Sequence, residues 1–198
     1  MLNRLDETSI SVRTIRNTVS GQDCNIVFCH LPSKLSIRGE FEQYEYANKI
    51  IEEILGLEAE DGDNTVVCGD LNMNPFECGV AAARGFHAVM DAHTAQKQLR
   101  TIKGKSYKFF YNPMWTLFGD KGRGDVAGTI YYDHSEHLQY FWNMFDQVLI
   151  RPQLIGQFDM AELKIISRDR NYSLLNQNGR INTIVYSDHL PIKFKINL

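Results

Sequence analysis

The runs CNIVFCHL (24–31) and TVVCGD (65–70) are almost continuously apolar, and the stretch between them changes period. Short apolar runs bounded by turn residues are the pattern of strands buried on both faces. Between them, Phe41, Tyr44, Ala47, Ile51, Ile54 and Leu55 recur at threes and fours, with Glu and Lys in the gaps. That spacing predicts an amphipathic helix over 38–55, ended by Gly56 and followed by an acidic loop, EAEDGDN. Strands interleaved with a helix confine the chain to layered α/β or α+β architectures.

Other segments extend the pattern. SISVRTIRNTV (9–19) alternates apolar and polar residues with a slip at Ile15, as a half-exposed strand does. FDQVLIRP (145–152), LKIIS (163–167) and PIKFKINL (191–198) are further strand candidates, the last with Ile192, Phe194 and Ile196 on one side. Lys97 to Asp133 mixes aromatic, glycine and basic residues without a steady period, which predicts an irregular functional rim rather than core.

The chain has 198 residues, 43% of them hydrophobic and 23% charged, enough for one good core. A net charge of -3 argues against nucleic-acid binding through bulk charge; any such contact needs a local patch. No apolar run reaches bilayer length, and MLNRLDETSI lacks the apolar centre of a secretion signal. Cys24, Cys29 and Cys68 stand in apolar runs without CxxC spacing and read as small buried hydrophobes. A reduced, cytoplasmic protein is therefore expected.

The stretch VVCGDLNMNPFE (66–77) ends a buried strand on Asp70 and Asn72. Residues two apart on a strand face the same way, so a carboxylate and an amide can address one hard cation or one phosphate–water pair. Alone this pattern is weak, because Asx-rich turns often follow strands. But YSDHLPI (186–192) sets Asp188 beside His189 just before the final strand, Asp146 heads the apolar run FDQVLI, and His30 ends VFCH. Histidine is the natural acid/base near neutral pH and needs a carboxylate to fix its tautomer, while an acid heading a buried strand needs a partner. Four buried strands that each begin or end with such a residue predict one shared site.

CHLPS, GDLNMNP, FDQVLI and SDHLPI, in that order, resemble the endonuclease/exonuclease/phosphatase (DNase-I-like) superfamily, from about Ser9 to the C-terminus. The resemblance implies a two-sheet α/β sandwich and a divalent-metal-dependent phosphoester hydrolase, whether nuclease, phosphodiesterase or phosphatase. By that resemblance Asp70 and Asn72 position the attacking water and the phosphate, and His189, oriented by Asp146, serves as general acid/base. Asp188 helps bind the metal, Mg²⁺ or alternatively Mn²⁺, and His30 stabilises charge on the phosphoryl oxygens. Histidine at position 30 leans towards the DNase, sphingomyelinase and phosphatase branches. Arg100, Asn112 and Trp115 fall in the stretch that helps form the substrate groove in relatives, so they are candidate substrate-binding residues. The implied substrates are nucleic acid or a phosphorylated small molecule or lipid.

Members of that family also carry an early asparagine strand and a metal-binding glutamate. Asp6, Glu7 and Asp23 have no matching context here. Residues 1–198 thus read as the C-terminal two-thirds of a single domain, incomplete at its N-terminus, and a shortened sheet predicts self-association. The competing reading is a catalytically deficient fragment or binding module. His134 and His137 in YYDHSEH have zinc-like spacing but no third ligand, and read as a rim loop. RTIKGKSYKFFYNPMW fits a single-stranded nucleic-acid surface and a solvated strand with a buried aromatic face equally well. GDKGRGD lacks the phosphate-loop pattern.

Overall fold

Two strands that run parallel cannot be joined by a tight turn, and the alternation of strand, helix and strand at 23–70 meets this requirement with a crossover. The computed structural model describes residues 2–6, 9–37, 39–120, 126–135 and 137–198. Glu7, Glu136 and positions 121–125 of the GDKGRGD loop lie outside the described residues. The largest sheet has seven strands, numbered here in chain order: β1 (Leu2–Asp6), β2 (Ile10–Arg16), β3 (Asp23–His30), β4 (Thr65–Asp70), β5 (Ala88–Val89), β6 (Phe110–Tyr111) and β7 (Asp146–Ile150). Their spatial order is β1-β2-β3-β4-β7-β6-β5. β3 and β4 are parallel, joined through helix α1 (Glu40–Asp61), whereas β7 runs antiparallel to β4.

The period of two sorts the sheet's side chains to its faces. Val27, Cys29, Val67 and Leu149 pack with Ala47, Ile50, Ile51 and Ile54 of α1. Cys24, Ile26, Val66, Cys68, Val148 and Ile150 face the opposite way, onto Leu163, Ile165, Ile181 and Leu190 from the C-terminal segment. Strands that bury both faces read as continuous apolar runs, which is why these three were legible.

Several expectations are corrected. The helix runs through Gly56 and part of the anticipated acidic loop, ending only at Gly62, whose φ of 85° suits glycine. Phe41 and Leu55, expected on the buried stripe, are exposed, while Gln43 and Glu58 are buried instead. Each has polar partners: Gln43 donates to the backbone oxygens of Pro32 and Asn72, and Glu58 accepts from Arg151 Nε at 2.7 Å. At the slip in β2, Thr14 takes the inward place with its hydroxyl 2.7 Å from Asn25 Oδ1, and Ile15 faces outward.

The segment from Lys97 is more regular than its composition suggests. It contains the hairpin Leu99–Ile102/Lys105–Lys108, strand β6 and a 3₁₀ turn at Pro113–Leu117. The strands anticipated at 163–167 and 191–198 contract to Lys164–Ile165 and Ile192–Lys193, which pair antiparallel beneath the main sheet. The architecture is α/β in layers; besides the main sheet and the 99–108 hairpin, the described residues form three short antiparallel pairs, Ile130–Tyr131 with Trp142–Asn143, Lys164–Ile165 with Ile192–Lys193, and Arg168–Asp169 with Tyr172–Ser173. No helix among the described residues is long and apolar enough to cross a membrane.

Candidate active site

Sheet register assembles the site. β4 ends on Asp70, its parallel neighbour β3 ends on His30, and its antiparallel neighbour β7 begins on Asp146. Residue pairing places His30 opposite Asp70 and Asp146 opposite Asp70, so three polar side chains stand in a row at one end of the sheet. Gly69 permits the close approach of β3 and β4. Its φ is 132°, and a Cβ there would overlap the carbonyl oxygen of Cys29.

His189 arrives from the C-terminal segment. Its backbone bridges to Ile130, and the amide of the next residue, Leu190, donates to the carbonyl of Thr129 at 2.8 Å. The buried Thr129 hydroxyl accepts from the amides of both Phe145 and Asp146 at 3.1 Å. One threonine therefore fixes the start of β7 and the approach of the histidine. Its position in a glycine-flanked loop gives no signal in the sequence.

The consequence is an imidazole held between two acids. His189 Nδ1 lies 2.7 Å from Asp146 Oδ2, and its Nε2 lies 3.9 Å from Asp70 Oδ2. A carboxylate accepts, so Nδ1 carries the proton shared with Asp146, and Nε2 is left directed at the centre of the site. His30 Nε2 stands on the other side, 3.8 Å from the same Asp70 oxygen. Burial alone would lower the pKa of His189, but the hydrogen bond and charge of Asp146, then the charges of Asp70 and Asp188, outweigh it and raise it. Asp70 is also raised, first by burial and further by Asp146, against the Asn72 amide and His189.

Asn72 sits at φ 51°, a conformation asparagine tolerates better than most residues. Its backbone amide donates to Asp70 Oδ1 at 2.8 Å. The side-chain nitrogen is shared between Leu31 O at 2.7 Å and Asp70 Oδ2 at 3.0 Å. In this arrangement Asn72 orients Asp70 and ties β4 to the end of β3. Asp188 is exposed beside His189, outside the compact group formed by Asp70, Asp146 and His189.

The three groove candidates fall in different places. Asn112 is buried, donates to Gln147 Oε1 at 2.7 Å, and through Gln147 supports the carbonyl of Met73 in the loop after Asp70. Trp115 belongs to an aromatic group with Phe76 of that loop and Phe118, centroids 6.4 Å and 6.3 Å away. Arg100 is exposed on the hairpin. Lys108 of that hairpin contacts Glu58 and Asp63, next to the start of β4, so Arg100 lies at the end of the sheet away from Asp70. His134 and His137 are exposed and not helical, and His134 stacks on Tyr132. Asp23 is paired with Arg16 at 2.6 Å at the start of β3, also away from the site.

Tyr132 is a site residue that motif spacing does not reveal. Burial first, then the charges of Asp188, Asp70 and Asp146, push its phenol pKa up, and the ring lines one cavity with Asn72.

The donor set fits a divalent ion. Oxygens of Asp70 and Asp146 and a nitrogen of His189 all lie within 4.8 Å of one another. Carboxylates favour hard cations such as Mg²⁺ or Mn²⁺, and two acids sharing one small volume need compensating positive charge.

Comparison with solved structures shows the fold. An endonuclease/exonuclease/phosphatase family protein from Bacteroides thetaiotaomicron superposes with a TM-score of 0.50 at 15% identity, covering 93% of this chain and 54% of that one. The human Nocturnin catalytic domain with bound sulfate matches at a TM-score of 0.47 and 14% identity, over 94% of this chain and 52% of that one. An AP endonuclease from Archaeoglobus fulgidus matches at 0.42 and 16% identity, over 94% and 65%. This chain thus spans 52–65% of the length of these three structures. No protein-family model matches the sequence, and no curated protein matches it.

Proposed function

We propose that this chain, folded as an endonuclease/exonuclease/phosphatase protein is, provides the catalytic centre of a divalent-metal-dependent phosphoester hydrolase. The observation that carries this reading is the convergence of His30, Asp70, Asp146 and His189 from four separate segments on one end of the sheet. Such a group has no packing role that apolar residues would not fill better, and burying two acids together raises the free energy of the fold.

Asp146 holds the His189 imidazole with Nε2 inward, so that a proton can be taken from water or given to a leaving oxygen there. Asp70, oriented by both nitrogens of Asn72, accepts a hydrogen bond from the attacking water. His30 meets the charge on the phosphoryl oxygens. Asp70 and Asp146 would hold a divalent ion, whose charge would offset that of the phosphate and favour in-line attack. The substrate is a phosphodiester or phosphomonoester, in nucleic acid or in a smaller molecule.

The test pairs calorimetry with turnover. Titration with Mg²⁺ and with Mn²⁺ should show saturable binding that Asp70→Asn removes. Hydrolysis of bis(p-nitrophenyl) phosphate should require the metal and disappear in His189→Ala. A protein that binds no divalent ion and cleaves no phosphoester would overturn this reading and leave the non-catalytic alternative.

A further inference from the structure

Beside the carboxylates the chain leaves a cavity of about 260 Å³ that the proposed chemistry does not use. Asn72, whose side-chain nitrogen lies 3.0 Å from Asp70 Oδ2, is part of its wall, which links the cavity to the catalytic group. Tyr132 and His134 stack there, with ring centroids 5.5 Å apart and planes inclined by 26°, and Phe145 packs 6.0 Å from Tyr132. Leu35 and Leu138 also line it, 92% and 72% exposed, along with the polar Ser33, Gln139 and Asn143. Large aliphatic residues held this open at the mouth of a polar site leave apolar surface that a ligand can cover.

Charge and size narrow the occupant. Lys34 also lines the cavity, but its ammonium is paired with Glu77 and lies 3.6 Å from Glu40. A second phosphate would find that charge already neutralised. The volume falls below the roughly 300–1,000 Å³ of pockets that enclose drug-sized ligands, which suits one ring system rather than a long chain. A flat ring also exploits an existing stack of two aromatic side chains better than a flexible aliphatic group does.

We propose that this cavity is a specificity subsite that receives a single planar ring carried by the non-departing ester group of the substrate. The inference rests on the hydrolase reading for the phosphate and adds the class of substituent beside it. Phenyl and nucleoside esters share the required chemistry.

Three diesters with the same p-nitrophenolate leaving group test it: the methyl, the phenyl and the thymidine 5′ ester. The ring-bearing esters should exceed the methyl ester in kcat/KM by about tenfold, the scale of one stacked ring. A gain for thymidine but not phenyl identifies a nucleobase as the ring, and a gain for both identifies a general aryl subsite. Leu138→Asp and Leu35→Asp should bring the ratio close to one, while Val19→Asp, on the turn between β2 and β3, should leave it as in the parent. Equal kcat/KM for all three esters, or a ratio unmoved by both leucine variants, would overturn the subsite while leaving the hydrolase intact. If no ester is cleaved, binding decides: NMR titration with phenylphosphonate and methylphosphonate in Mg²⁺ should favour the phenyl compound, and Leu138→Asp should remove the preference. That result would keep the subsite and discard the hydrolase; no preference would discard the subsite.

Discussion

His189 Nδ1 and Asp146 Oδ2 stand 2.7 Å apart although 43 residues separate them in the chain. The acid both orients the ring and raises its pKa against the opposing effect of burial. Replacing Asp146 with Asn removes its hydrogen bond and charge and leaves only the charges of Asp70 and Asp188 against burial, so in the metal-free protein the His189 titration should move down from its raised position. Hydrolysis should fall on the order of 10²–10⁴-fold. NMR titration of the His189 ring proton checks the first outcome; an unmoved midpoint would show that this pair does not set the charge.

Gly69 sets the spacing on which that geometry depends. Gly69→Ala must enter a region of φ unfavourable to alanine and press on the Cys29 carbonyl. A loss of at least about 2 kcal/mol is expected from strain of this kind. Gly156→Ala meets no neighbouring atom and has no such φ, so its effect should stay within about 0.5 kcal/mol. Urea midpoints of the two variants, measured side by side, give the comparison.

A buried ion pair joins the helix to the far end of the sheet. Arg151 reaches both oxygens of Glu58, at 2.7 Å and 3.1 Å, donates to the carbonyl of Phe109, and lies over the Phe110 ring at 3.8 Å. Their side chains are 2% and 0% exposed. Arg151→Met leaves Glu58 with only Lys108 and should reduce stability by about 3–5 kcal/mol. The double variant Glu58→Leu/Arg151→Met should recover part of that loss, because no lone charge remains buried. A single-variant loss under about 1 kcal/mol would mean that water reaches the pair.

His87 gives the fold an acid sensitivity of its own. Burial lowers its pKa, its Nδ1 lies 3.2 Å from the Lys108 carbonyl, and its Nε2 is buried without a hydrogen-bond partner. The unfolded chain therefore takes up this proton first. Stability should be full above about pH 6.5, fall as pH drops below it, and level off under the depressed folded-state pKa. The slope cannot exceed about 1.4 kcal/mol per pH unit for one group. His87→Asn, which suits the local φ of 51°, should flatten the dependence between pH 6.5 and 5 in urea unfolding.

The alternation of buried strands with a helix, and hence a layered α/β or α+β fold, is legible in the sequence. Val66, Val67 and Cys68, or Val148, Leu149 and Ile150, are apolar on both faces because both faces are covered, and burial of that kind writes itself into consecutive residues. Asp70, Asn72, Asp146 and His189 were legible as residues out of place at strand ends. Motif order linked them, yet which of them touch was decided by register: Asp146 opposite Asp70, His30 opposite Asp70. Register is a relation between segments, and no local pattern encodes it. The same reason hid Thr129, Gln43 and Glu58, whose side chains find hydrogen-bond partners at 2.6–3.1 Å in distant parts of the chain. Local physics determined what each segment becomes, and only close packing of the segments determined that Tyr132 lines one cavity with Asn72 and which side chains share one small volume.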